Sequence, residues 1–192
     1  MAENVIVVRP FKIMGEVFSG VAGVFLIIAS VGQDWVEVQF FRTTHVITWG
    51  LWDICVGGLC LPDSGWLEIC RGLILLAVLL SLGAFLCGLV GLCIHSHCSK
   101  RAWFILAGAL MSLVALLDLL TLILYPAMFN SDIVHLQTDS HWMYTLKTWN
   151  FDWTYGFGWG AFIFTVGASL FFILPLDDKK TISKPFRAIN HR

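Results

Sequence analysis

The chain has 192 residues, of which 58% are apolar and only 13% charged, with 12 Lys and Arg set against 13 Asp and Glu. A soluble domain carries about a quarter charged residues, and a net charge of −1 lacks the basic excess of a nucleic-acid binder. The apolar content also excludes a disordered chain, and a mean hydropathy of +0.80 places the protein in a bilayer.

The charge deficit comes from four long runs. Crossing a ~30 Å hydrocarbon core takes about 20 apolar residues. Ile13–Gln33 meets that length with one charge, Glu16; Gly72–Ile94 has none; Trp103–Leu124 has one, Asp118; and Tyr155–Leu174 has none. These runs predict four transmembrane helices. They are too long for globular core helices and too rich in Leu, Ile, Phe and Val for barrel strands.

Orientation follows from the basic residues. With a cytosolic N-terminus, the inner segments hold Arg9, Lys12, Lys100, Arg101, Lys179, Lys180, Lys184, Arg187 and Arg192, and the outer ones only Arg42, Arg71 and Lys147. Eight tryptophans, from Trp35 to Trp159, fall in or beside the outer segments, and Trp103 alone marks the inner face. The polar start Met1–Pro10 and the length of the first run argue for a retained signal anchor rather than a cleaved signal peptide. His95–Ala102 is a short inner turn that forces spans two and three into an antiparallel hairpin. Residues 34–71 and 125–154 form the two outer loops, and 175–192 a short cytosolic tail. The whole chain, 1–192, reads as one domain.

The first outer loop carries strand signals at Trp35–Phe40 and Val46–Trp49. Beyond them, Gly57-Gly58 fits both central positions of a type I′ turn, where φ is positive. That turn makes Val56 and Leu59 its flanking pair and sets Cys55 opposite Cys60 as a non-hydrogen-bonded pair, with Cα atoms about 4.5 Å apart. A disulfide suits that separation in an oxidising compartment. Cys55–Cys70 is the competing pairing, and a free buried thiol the third alternative. Cys87 reads as such a thiol, while Cys93 and Cys98, at the cytosolic edge, are candidates for S-palmitoylation.

Four spans with inner termini, together with Gly50-Leu51-Trp52-x-x-Cys55 and a second Cys in the first outer loop, resemble the claudin and peripheral-myelin-protein superfamily. Leu124-Tyr125-Pro126, then Asn150 and Tyr155-Gly156-Phe157-Gly158-Trp159-Gly160-Ala161, are similar to its brain cell membrane protein and PERP branch. The resemblance implies an all-α membrane protein, a four-transmembrane-helix bundle with a small extracellular antiparallel β-sheet. It also implies a junctional role, through the cadherin–catenin adherens junction or the desmosome. Two features depart from classical claudins. The Cys55–Cys60 spacing is tighter, and the final Ile189-Asn190-His191-Arg192 lacks the hydrophobic last residue that docks on PDZ scaffolds by strand addition.

Small residues at four-residue spacing line the spans: Gly15, Ser19 and Gly23; Gly108 and Ser112; Gly156 and Gly160. They predict close packing within the bundle, with lateral self-association into a homo-oligomer as the alternative. Asp118 is expected to be protonated or hydrogen-bonded and to hold span three to a neighbour, and Glu16 to snorkel to the cytosolic surface. Asp132, His135, Asp139 and His141 match no zinc spacing, so no metal or cofactor is expected. Trp142 and Trp149 are candidates for an interaction surface, and Trp153 for an interfacial belt.

No catalytic constellation stands out. The Cys55/Cys60 and Cys93/Cys98 pairs have four intervening residues, not the two of a thiol oxidoreductase. The expectation is therefore a non-enzymatic membrane protein of cell–cell junctions. It would contact membrane lipid and couple laterally to cadherin–catenin complexes. The alternatives are a paracellular barrier or pore former using Glu37, Arg42, Asp53 and Asp63, and an auxiliary channel subunit.

Overall fold

The computed structural model describes residues 10–40, 46–52, 55–56, 59–60, 65–94, 97–138 and 146–174. In chain order the elements are α1 (Pro10–Val31), β1 (Val36–Phe40), β2 (Val46–Trp49), β3 (Cys55–Val56), β4 (Leu59–Cys60), α2 (Gly65–Cys93), α3 (His97–Thr138), β5 (Leu146–Phe151) and α4 (Trp153–Ile173). All four helices are long and apolar enough to cross a membrane. Each packs on the next in sequence, and α4 closes the bundle against α1.

The core falls into three clusters. The middle one has the small and medium side chains Leu26, Ala77, Val114 and Ala161 at its centre. The cluster beside the sheet is richer in large side chains, among them Trp35, Trp49, Tyr125, Phe129 and Ile74. At the opposite end Phe104, Met111 and Phe172 fill the space among alanines. Most of the predicted small residues sit inside these contacts. A Cβ on Gly160 would meet the Phe25 ring at 2.7 Å, and one on Gly108 the Ile173 side chain at 2.9 Å. The Ser112 and Ser169 hydroxyls meet at 2.7 Å across α3 and α4. Gly156 is the exception, since a Cβ there would meet nothing within 4 Å.

The sheet is antiparallel, in the order β2-β1-β5. Val36 lies opposite Trp49 on one side and Phe151 on the other, and Glu37 lies between Thr48 and Asn150. Strand alternation sends Val36, Val38 and Trp49 into the core, leaving Glu37, Gln39, Thr48, Thr148 and Asn150 as a polar outer face. β3 and β4 form a separate hairpin whose register sets Cys55 opposite Cys60 and Val56 opposite Leu59, as the type I′ turn requires. The turn residues, 57 and 58, lie outside the described residues.

Two helices overrun their predicted limits. α2 begins at Gly65 rather than Gly72, and α3 continues to Thr138 rather than ending near Leu124. Half of the expected second outer loop is therefore helix, and its remainder contains β5. The projecting turns of α2 and α3 hold each other, because the Trp66 indole N–H donates to the Asp132 carboxylate at 2.8 Å.

α3 continues through Pro126. Proline has no N–H for the carbonyl four residues back, here that of Leu122. The Tyr155 hydroxyl of α4 donates to that carbonyl instead, at 2.9 Å. At the other end of the bundle the last carbonyls of α4 are also taken by a side chain. Lys12 Nζ donates to the carbonyls of Phe171 (3.1 Å), Phe172 (2.8 Å) and Leu174 (2.8 Å), where a cation also complements the helix dipole. Replacing this charged donor, Lys12→Met, is expected to lower stability by about 2 kcal/mol, read as a lower thermal midpoint of the detergent-solubilised protein, with Lys12→Arg retaining most of it.

Candidate functional site

The Gly50-Leu51-Trp52 motif, Trp149 and Trp153 lie at the joint between the sheet and the bundle. α1 ends at Val31, so its last carbonyls have no partner in the helix. Two indoles from the following segment supply donors. Trp35 Nε1 donates to the Ala29 carbonyl at 2.8 Å, and Trp52 Nε1 donates to the Ser30 carbonyl at 2.5 Å. Trp35 also extends the strand ladder: its N–H donates to Trp49 O at 3.1 Å, and its carbonyl accepts from the Asp152 N–H at 3.0 Å. It is fully buried, with its ring 4.8 Å from that of Tyr125 and 5.7 Å from that of Tyr155.

The Gly50-Leu51-Trp52 motif forms the second anchor. A Cβ at Gly50 would lie 2.6 Å from the Gln33 backbone, so glycine permits the crossing just beyond α1. Leu51 is fully buried, and its carbonyl accepts from Arg71 Nε of α2 at 2.5 Å. The Arg71 guanidinium lies 5.5 Å from the centre of the Trp52 ring, a cation–π contact. α4 is tied in as well. Asp152 caps its first turn through the Trp153 N–H at 2.6 Å, Thr154 Oγ1 donates to the Asp34 carbonyl, and the Trp153 indole N–H donates to the Asp34 carboxylate at 3.1 Å. α1, α2 and α4 thus bond directly to the sheet or its flanks, and α3 packs Phe129 against Trp49 and Trp149.

Several expectations require correction. Glu16 does not snorkel. It is 6% exposed and its carboxyl is enclosed against Gly88 of α2, where a Cβ would collide with Oε2. Neither of its oxygens has a hydrogen-bond partner among the described residues. Asp118 is fully buried, but it ties α3 to no neighbour among the described residues, since both its oxygens also lack partners there; nothing in the structure explains its presence. Cys70 is a free, buried thiol within α2, which removes Cys55–Cys70 as the pairing. Trp149 is half-buried, edge-on to Phe129 at 5.6 Å and Phe151 at 5.3 Å, so part of its ring packs inside the fold.

Other positions are simply placed. Trp142, Asp139 and His141 lie outside the described residues, and the side chains of Cys55, Cys60, Cys98 and His135 are likewise undescribed. Cys93 is free and exposed at the last residue of α2. Asp132 accepts from Trp66 rather than standing ready for a metal. Among the described residues no group of three His, Cys, Asp or Glu side chains converges on a point. Lys12, Trp35 and Tyr155 were not recognised as bonding groups from sequence. The available signals were the apolar position of Lys12 and the pairing of Pro126 with a tyrosine on the next span.

The arrangement is built for rigidity. Trp35→Phe removes a buried donor and leaves the Ala29 carbonyl unpaired, an expected loss of about 2–4 kcal/mol. Trp52→Phe, at a half-exposed position, is expected to cost about 1 kcal/mol. Thermal unfolding of the two variants in the same detergent checks both size and order.

A TM225-like domain model matches residues 4–173. The zebrafish (Danio rerio) protein named p53 apoptosis effector related to PMP-22 is 31% identical over 156 residues, which span 78% of this chain and 75% of that protein. With four bundle-forming membrane helices and a braced antiparallel sheet at one end, the chain belongs to the TM225-like family, within the superfamily of claudins and peripheral myelin proteins.

Proposed function

We propose that this membrane protein is a structural, adhesion-associated component of cell–cell junctions. It holds its sheet outside the cell and both termini in the cytosol, and it couples laterally to cadherin–catenin complexes. The observation that carries this reading is the sheet joint. A β-sheet bonded to helix ends and faced with Glu37, Gln39, Thr48, Thr148 and Asn150 offers a polar surface of fixed shape to neighbouring molecules. Such preorganisation reduces the ordering cost of binding. The distribution of Lys and Arg along the chain supports the orientation, and kinship with a PMP-22-related protein supports a non-enzymatic role.

In polarised epithelial cells the tagged protein is expected to concentrate at lateral contacts. Proximity labelling from its tail is expected to recover cadherin–catenin neighbours. Replacing outward residues, as in Glu37→Arg with Asn150→Arg, is expected to reduce enrichment at contacts while leaving surface expression intact. Even distribution of the unmodified protein over the plasma membrane contradicts the proposal. Altered transepithelial resistance with unchanged adhesion on deletion assigns the protein to barrier formation instead.

The same reading includes a Cys55–Cys60 disulfide stapling the hairpin, supported by the backbone register that sets the two residues opposite each other. Alkylation of non-reduced protein from intact cells is expected to leave both cysteines unmodified while Cys93 reacts. Cys55→Ser is expected to cost about 2 kcal/mol. Alkylation of Cys55 and Cys60 before reduction contradicts the staple.

A further inference from the structure

The net charge of −1 conceals two oppositely charged ends. The segments at the sheet end of the bundle, 32–71 and 125–152, carry eight Asp and Glu against three Lys and Arg. Those at the other end, 1–9, 94–101 and 174–192, carry eight Lys and Arg against three Asp and Glu. Membrane insertion selects on Lys and Arg and gives little weight to Asp and Glu. It therefore accounts for the basic excess at one end but not for the near-exclusion of acids from it.

The helix ends gather that basic charge on one rim. α1 starts at Pro10, α2 ends at Cys93, α3 starts at His97 and α4 ends at Ile173, all away from the sheet. Arg101, near the start of α3, is exposed, and Lys100 beside it is half-buried. Lys12 adds nothing to this surface, because it is 4% exposed and gives its ammonium to the α4 carbonyls. Its bond to the Leu174 carbonyl, 2.8 Å long, fixes the point from which the following segment leaves the bundle. Residues 175–192 lie outside the described residues, and what they bring is charge. Beyond Asp177 and Asp178 there is no further acid, and Lys179, Lys180, Lys184, Arg187 and Arg192 alternate with the apolar Ile182, Phe186 and Ile189.

We propose that this end of the molecule binds anionic phospholipid, with Lys100, Arg101 and the basic residues of 179–192 holding the acidic headgroups of the adjoining leaflet. Clusters of about four to eight Lys and Arg immediately beside a span attract such lipids. The attraction fades beyond about 8 Å at physiological salt, so it acts only on groups kept at the surface. α4 keeps them there, since tethering to the span gives the segment a high effective concentration at the headgroups.

An acidic protein in solution fits less well. It would have to find this rim by diffusion, whereas lipid headgroups surround it from insertion onward. Apolar side chains set among basic ones also suit the headgroup boundary, where they enter the interface as the charges stay in water. In the orientation proposed above, this end meets the cytosolic leaflet, which carries the anionic lipid of the plasma membrane. Vesicles of symmetric composition test the contact whichever way the protein faces, so failure here and failure of that orientation are separate results.

The test uses the full-length protein in phosphatidylcholine vesicles doped with spin-labelled phosphatidylserine or spin-labelled phosphatidylcholine, whose spectra separate lipid held at the protein from lipid in the bulk. Phosphatidylserine is expected to be favoured at the protein by about fivefold, the attraction of one basic side chain for an anionic surface. Salt at about 1 M, which shortens screening to about 3 Å, is expected to remove most of that preference. Lys179→Gln, Lys180→Gln, Lys184→Gln and Arg187→Gln combined are expected to bring the ratio close to one. Lys100→Gln with Arg101→Gln is expected to lower it in part, and Lys147→Gln, at the sheet end, to leave it unchanged. Thermal unfolding confirms that each variant keeps its fold. Equal association of the two lipids, a preference that survives high salt, or a preference unchanged by the fourfold substitution overturns the proposal.

Discussion

Inside a bilayer, a backbone carbonyl with no partner within its own helix has no water to turn to. At three places among the described residues, a side chain from elsewhere in the fold occupies such a carbonyl. Trp35 and Trp52 take the end of α1, Tyr155 takes the carbonyl released by Pro126, and Lys12 takes the end of α4. Each donor comes from a different element than its acceptor, so satisfying the backbone also fixes how the elements sit together. Association between membrane helices gains little from hydrophobicity, because lipid is as apolar as the helix surface. Interhelical bonds of this kind therefore carry much of the architecture.

The same constraint gives physical content to the motifs that carry the sequence resemblance. Leu124-Tyr125-Pro126 and the Tyr155-Gly156 start of α4 are two halves of one contact, a freed acceptor and the hydroxyl that meets it. Gly50-Leu51-Trp52 is a close crossing over Gln33, a buried leucine that bonds to α2 through its carbonyl, and an indole that caps α1. These residues position the sheet. The outward face of the sheet, around Glu37 and Asn150, is polar, and it is the surface proposed for a partner.

Sequence made the four spans legible because hydrocarbon thickness imposes a minimum length on an uncharged run. It made the hairpin register legible because two adjacent glycines admit few turns. Helix ends were harder to read. Leu124-Tyr125-Pro126 reads as the close of span three, yet α3 continues past it, with Tyr155 and Trp66 bonded to it. β5 escaped notice because its strand character depends on pairing with β1, more than a hundred residues earlier. Snorkelling was expected of Glu16 from its distance to the helix end, which says nothing of the direction its side chain takes. Its carboxyl turns inward because Gly88 leaves it room. Together with Asp118 it departs from the general rule that buried polar groups are paired.

The seating of the sheet on the bundle depends on side-chain donors to freed carbonyls. A double-mutant cycle on Pro126→Ala and Tyr155→Phe, with unfolding free energies measured in lipid nanodiscs, tests that dependence most directly. Tyr155→Phe is expected to cost about 1–2 kcal/mol when Pro126 is present and much less in the Pro126→Ala background, where alanine restores the helical N–H, a coupling of about 1 kcal/mol. Equal costs in both backgrounds would contradict the account.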